Sequence, residues 1–184
     1  MRARRSGRTA AGFAGTAAVV TLLVGTPAAS AKPVPGQSNW LSTTSGTITT
    51  APDGTRTSTL ALSRPAVVAK PLDRLGWKDR DAVDEPHLWV FTPDAAKVLG
   101  RTIDDGRACP LCDTAVTEMA AALAANPAST RVEHGQPGGL DVEGDAYLLR
   151  LGDDVWVRVR AASGTVLYYL DAYHPWLHGQ VTVS

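Results

Sequence analysis

The sequence predicts an α+β fold: an antiparallel sheet, its C-terminal part a β-meander, packed against one or two helices. Three observations predict it. "DAYLLRL", "VWVRVRA" and "TVLYYLD", between residues 145 and 171, are β runs separated by the turn stretches "GDD" and "ASG". Residues 110–126 place Val116, Met119, Ala120 and Leu123 at three- and four-residue spacing, the period of an amphipathic helix. "HLWVFTPDAAKVLG" reads as a short strand followed by a helix capped by Thr92, opened by Pro93 and stopped by Gly100.

The elements follow in chain order. Arg2, Arg4, Arg5 and Arg8 precede an apolar stretch, "AAGFAGTAAVVTLLV", and then "GTPAASA" with Ala29 and Ala31 before Lys32. A charged start, a short apolar run and a small-residue cleavage site predict a secretory signal peptide over residues 1–31. The run is too short and too rich in Ala and Gly to span a bilayer, which takes about 20 apolar residues. The expected product is secreted, with no membrane span. Cleavage removes four Arg and no acidic residue, leaving 14 basic against 18 acidic side chains, a net charge of −4. That sign argues against a general nucleic-acid partner.

Residues 32–39, "KPVPGQSN", read as a flexible leader, and 40–184 as one α+β domain. "SGTITTAPDGTRTSTLAL" sets Thr-rich runs on either side of Pro-Asp-Gly, a hairpin signal. The stretch 73–86 is charged and irregular, anchored by Trp77.

The three C-terminal runs can be paired in one register, with Arg160 opposite Thr165 and Leu151 opposite Val155. Period-two alternation then points Tyr147, Leu149, Leu151, Val155, Val157, Val159, Val166, Tyr168 and Leu170 one way. Burying each aliphatic member stabilises by roughly 1.5–3 kcal/mol before entropy is set against it. The helix at 110–126 is the expected cover. The opposite face collects Arg150, Trp156, Arg158, Arg160 and Tyr169, residue types enriched where proteins grip partners. The functional expectation is a secreted, non-catalytic module that uses this face to bind another secreted or surface protein as adaptor, inhibitor or accessory factor.

Catalytic alternatives rest on fewer residues. No G-x-S-x-G, Walker loop or H-E-x-x-H is present. Glu133 with His134 and His174 could serve a hydrolase or nuclease-type toxin if the fold joined them. His174 and His178, four apart in "DAYHPWLHG", could handle a metal, though Pro175 and Gly179 oppose a helix there. No motif calls for a resident metal or an organic cofactor.

Cys109 and Cys112 are the only cysteines. Their spacing at a helix start suits a redox pair, half of a metal site, or a local disulfide. A closed zinc site needs more ligands than one pair, Asp104 and Asp105 would oppose a thiolate, and export favours the disulfide. So small a loop gives about 2 kcal/mol in the chain-entropy model. Finally, the stretch from Tyr147 to Pro175, ending in "AYHP", resembles the last hairpin of small secreted tyrosinase accessory proteins that help load copper. The chain lacks that family's His-rich stretch and following C-terminal helix, so the resemblance adds weight only to an accessory role.

Overall fold

The computed structural model describes residues 38–82, 85–103 and 106–184. The expected signal peptide, most of the leader, and Asp104 and Asp105 lie outside them. Among the described residues no helix is long and apolar enough to cross a membrane.

The α+β expectation is corrected: among the described residues the architecture is a β-sandwich with one α-helix on its outside. The first sheet has four strands, in the order β10 (Asp154–Arg158), β6 (Arg74–Lys78), β1 (Asn39–Ser45), β4 (Ala61–Leu62). The second has six: β5 (Ala66–Ala69), β12 (His178–Val183), β11 (Val166–Asp171), β7 (His87–Thr92), β9 (Ala146–Leu149), β8 (Arg131–Val132). Pairing is antiparallel except for β1 with β6 and β5 with β12. A separate ribbon, β2 (Ile48–Thr50) with β3 (Arg56–Ser58), closes across Pro52, Asp53 and Gly54. Asp53 accepts the Thr55 amide, and Gly54 takes the positive φ that this turn requires.

The C-terminal meander does not form. β9 pairs with β7 and β8, β10 with β6, and β11 with β7 and β12. With no shared register, the three runs need not share one side-chain parity, and they do not. Tyr147, Leu149, Val155, Val157 and Val159 face the sandwich core as expected, but so do Leu167 and Tyr169, while Leu170 faces the helix side and Leu151 is exposed. The charged stretch expected to be irregular supplies β6, whose Leu75 and Trp77 enter the core.

The core between the sheets is aromatic. Trp77 of β6 stacks on Trp89 of β7 with centroids 5.9 Å apart, and meets Phe91 and Tyr169 edge-on at 5.6 and 5.4 Å. Such pairs contribute about 0.5–1.5 kcal/mol each beyond their buried area. On the outer face of the four-stranded sheet, Trp156 lies so close over Gly76 that a Cβ there would meet the indole at 2.7 Å.

The helix α1 (Pro110–Ala125) opens on Cys109 as N-cap and places Cys112, Ala115, Met119 and Ala122 against Leu88, Val90, Ala146, Leu148 and Leu170. It therefore covers the outer side of the six-stranded sheet, not the face expected for it. The helix expected after Thr92 is a single 3₁₀ turn, Ala95–Lys97, capped by Asp94. β7, covered on both sides, is buried at all six positions.

Candidate metal centre

At one end of the sandwich two strands and a loop bring three donors together. His87 opens β7 on the same side as Trp89 and Phe91, so strand alternation aims it inward. Asp171 closes β11 on the side of Leu167 and Tyr169. His174 follows in the loop to β12, held by the Leu177 amide donating to the His174 carbonyl and the Asp171 amide donating to the Leu177 carbonyl.

Asp171 Oδ2 lies 2.7 Å from His87 Nδ1 and 2.5 Å from His174 Nδ1. Its Oδ1 accepts the amides of Leu88 and Tyr173 at 2.9 and 3.1 Å. The carboxylate is fully buried and both imidazoles are 1% exposed. His87 Nε2 sits 2.8 Å from Asp81 Oδ2, whose side chain is shielded from solvent. Asp79 accepts the Asp81 amide with one oxygen and the Gly152 amide with the other, which fixes that loop. His87 stacks on Trp89, and His174 meets Trp176 edge-on at 5.3 Å.

Protons alone suit this arrangement poorly. A neutral imidazole has one N–H, yet His87 faces a carboxylate with each nitrogen. Either the ring is an imidazolium or a cation stands in for one proton. Burial opposes a charged His87, but the hydrogen bond and charge of Asp171, with the charge of Asp81, outweigh it and raise its pKa. Burial likewise opposes an ionised Asp171, and the two imidazoles outweigh it and lower its pKa. His174 Nε2 is buried without a hydrogen-bond partner, although Glu85 Oε2 lies 3.3 Å away outside hydrogen-bonding geometry.

The donor set fits a first-row transition metal. One ligand atom from each of His87, Asp171 and His174 falls within 4.8 Å of the others. Imidazole nitrogen with carboxylate oxygen suits copper(II), zinc, nickel or iron(II). Asp81, beside the far nitrogen of His87, stands where an outer carboxylate would orient a metal-bound histidine. A thiolate ligand is excluded, because both cysteines of the chain form the Cys109–Cys112 disulfide.

The residues singled out from sequence are dispersed. His174 belongs to the centre; His178 opens β12 opposite Leu170, half-buried, where burial and the nearby Arg101 charge lower its pKa. His134 Nε2 pairs with Glu118 at 2.8 Å, and Glu133 lies 3.6 Å from Arg131 while accepting the Gly138 amide. Neither is a donor of this centre, so the expected acid/base set is not assembled.

The expected docking face is corrected as well. Tyr169 is core, 1% exposed. Arg150 donates to the carbonyls of Pro127 and Ser129. Trp156, under the Arg74 guanidinium, and Arg158 lie on β10 in the other sheet, and the Arg160 stem packs at Gly139. A non-catalytic binding module acting through one Arg/aromatic sheet face has no such face to act with. Sequence reading missed His87, Asp171 and Asp81. The usable signal was Asp171 and His174, three apart around a turn at the end of a β run.

No family model and no curated protein matches the chain. Among solved structures it is similar to auracyanin B, at 17% identity and a TM-score of 0.49, over 84% of this chain and 93% of that one. It is also similar to a purple cupredoxin from Nitrosopumilus maritimus, at 17% and 0.40, over 79% and 99%. A third is auracyanin A, described as a "blue" copper protein from Chloroflexus aurantiacus, at 13% and 0.38, over 67% and 89%. Identities and scores this low transfer no role and no residue to this chain.

Proposed function

We propose that the chain is an exported β-sandwich that binds one copper ion through His87 Nδ1, His174 Nδ1 and Asp171 Oδ2 and exchanges single electrons with a partner protein. The observation that carries the reading is the convergence of these three buried atoms at the end of the sandwich. Copper(II) leads the divalent affinity order for such nitrogen and oxygen donors. Bound copper would supply a one-electron redox centre.

The chain's own residues do the rest. Asp171 is held by two backbone amides, so its free oxygen keeps its place. Asp81 takes the far N–H of His87 and leaves the Nδ1 lone pair inward. Trp89 and Trp176 pack on the two imidazoles and limit water. His87 and Asp171, fixed on paired strands, move little between oxidation states, which favours rapid electron exchange.

The test is copper(II) titration of the purified protein by calorimetry and electron paramagnetic resonance, followed by voltammetry. One equivalent should bind with nitrogen hyperfine coupling, without the intense blue of a thiolate complex, and cycle reversibly. Failure to bind in the wild type, or binding unchanged in both His87→Ala and Asp171→Ala, removes the reading. Binding without a reversible wave removes the electron-exchange part.

A further inference from the structure

We infer that the Cys109–Cys112 bridge is a thiol–disulfide exchange site for a cysteine-bearing peptide segment of a partner protein. It lies on the outer side of the six-stranded sheet and does not depend on copper binding.

The bridge joins residues three apart at the start of one helix and ties no two elements together. A disulfide placed only to hold the fold would do more by linking distant segments. Beside it lies a cavity of about 410 Å³, and Cys109 is part of its wall. Pro110 and Leu111 give that wall an apolar side, and Thr114 a hydroxyl. Both cysteines are buried, Cys109 at 9% and Cys112 at 3% exposure, and of the two only Cys109 lines the cavity, so a thiol entering there meets Cys109 first.

The geometry also prepares Cys109 to leave as a thiolate. Its sulfur is the N-cap of α1 and already accepts the Cys112 amide at 3.3 Å. The positive end of a 16-residue helix favours a negative charge there. The charged groups around it are Lys97 bonded to Glu143, His134 paired with Glu118, Asp113 in the first helical turn, and Arg101 and Arg107. Arg101 donates to the carbonyls of Lys97, Arg107 and Ala108, which sets its charge beside the residue preceding Cys109.

The exchange balances as follows. A partner thiolate attacks Cys109 Sγ; the S–S bond breaks and its electron pair leaves on Cys112 Sγ, which takes up a proton. A mixed disulfide now joins Cys109 to the partner. The partner's second thiolate attacks its own sulfur in that bond and expels Cys109 as a thiolate. The partner dithiol loses two electrons and two protons and becomes a disulfide; one proton goes to Cys112 and the other to the Cys109 thiolate or to solvent, and the Cys109–Cys112 pair is left reduced.

The experiment uses the full exported protein, stripped of metal with a chelator and kept anaerobic, because free copper oxidises thiols. The probe is a peptide with two cysteines separated by two residues. The expected result is one peptide disulfide formed per protein, at least about tenfold faster than with oxidised glutathione at equal concentration. Leu111→Trp, which fills the cavity, should slow the peptide at least about fivefold while leaving reduction by dithiothreitol unchanged. At pH 6, iodoacetamide should modify Cys109 in Cys112→Ser at least about tenfold faster than Cys112 in Cys109→Ser. An intact bridge after incubation with the peptide, or a rate no faster than glutathione's, overturns the proposal. So does a Leu111→Trp protein of native circular dichroism that reacts as fast as wild type. If the cysteine variants do not fold, the wild-type peptide assay decides alone.

Discussion

The two faces of the six-stranded sheet are built from the same strands and do different work. The inner face carries Trp89, Phe91, Tyr147 and Tyr169, large rings interlocked with Trp77 from the opposite sheet. The outer face carries Leu88, Val90, Ala146, Leu148 and Leu170 under the small and flexible side chains of α1. Rings cross the gap between two sheets, where facing backbones are about 10 Å apart, while Ala residues let a helix lie close. The difference extends to chemistry. The inner face ends in fixed carboxylates and imidazoles; the outer face borders the helix start that carries the disulfide and its cavity.

The largest effect separating the two faces should come from the inner one. Trp89→Ala should cost about 3–5 kcal/mol, read as a lower denaturant midpoint at unchanged slope, because it opens a ring-sized cavity where neither sheet can collapse. Met119→Ala on the outer face should cost about 2–4 kcal/mol, since the helix can settle toward the sheet. Equal losses, or a larger loss at Met119, would break the comparison.

The centre offers a sharper contrast. With free copper at a hundred times the dissociation constant, the wild-type protein should gain about 2.7 kcal/mol against thermal unfolding. Asp171→Asn, which keeps the shape and removes the charge, should lose most of that gain, whereas Glu118→Gln on the outer side should keep it. Replacing both Cys109 and Cys112 by Ser, which removes the bridge without leaving free thiols, should cost about 2 kcal/mol or less and leave copper affinity unchanged, measured by denaturation and copper titration.

The smallest effect is one of pH. In metal-free protein, His87 titrates above its ordinary 6.5, so its contribution is full below 6.5 and is lost as pH rises through the raised folded value. Asp171 titrates below 3.8, so its contribution is present above 3.8 and is lost as pH falls through the lowered value. The two titrate as a coupled group. The metal-free melting temperature should therefore peak between pH 3.8 and 6.5. Copper should shift the peak upward, since it needs His87 Nδ1 unprotonated. A copper-insensitive profile would separate the ionisation of the cluster from metal binding.

Legibility differed by the range of the interaction. The helix at 110–126 was readable because its apolar three- and four-residue spacing is local, and the ribbon around Pro52-Asp53-Gly54 because turn chemistry is local. The meander was not. "DAYLLRL", "VWVRVRA" and "TVLYYLD" alternate well enough to be strands, yet alternation cannot say which strand lies beside which. β10 chose β6, some 80 residues upstream, and β11 chose β7 and β12. One wrong neighbour sent Tyr169 from a surface to the core and removed the docking face with it. The centre was hidden for the same reason: Asp171 and His174 are close in the chain, but His87 lies 84 residues before Asp171.

The sequence by itself determined part of the local geometry: that 145–171 holds three extended runs, that Pro52-Asp53-Gly54 turns, and that a helix begins near Pro110. Tertiary structure alone decided the pairing of strands, the side on which the helix lies, and the meeting of His87 with Asp171 and His174. The reason is physical. Turns, caps and periodicity depend on atoms a few residues apart, whereas sheet order is selected by the burial of whole faces, a sum over the entire chain.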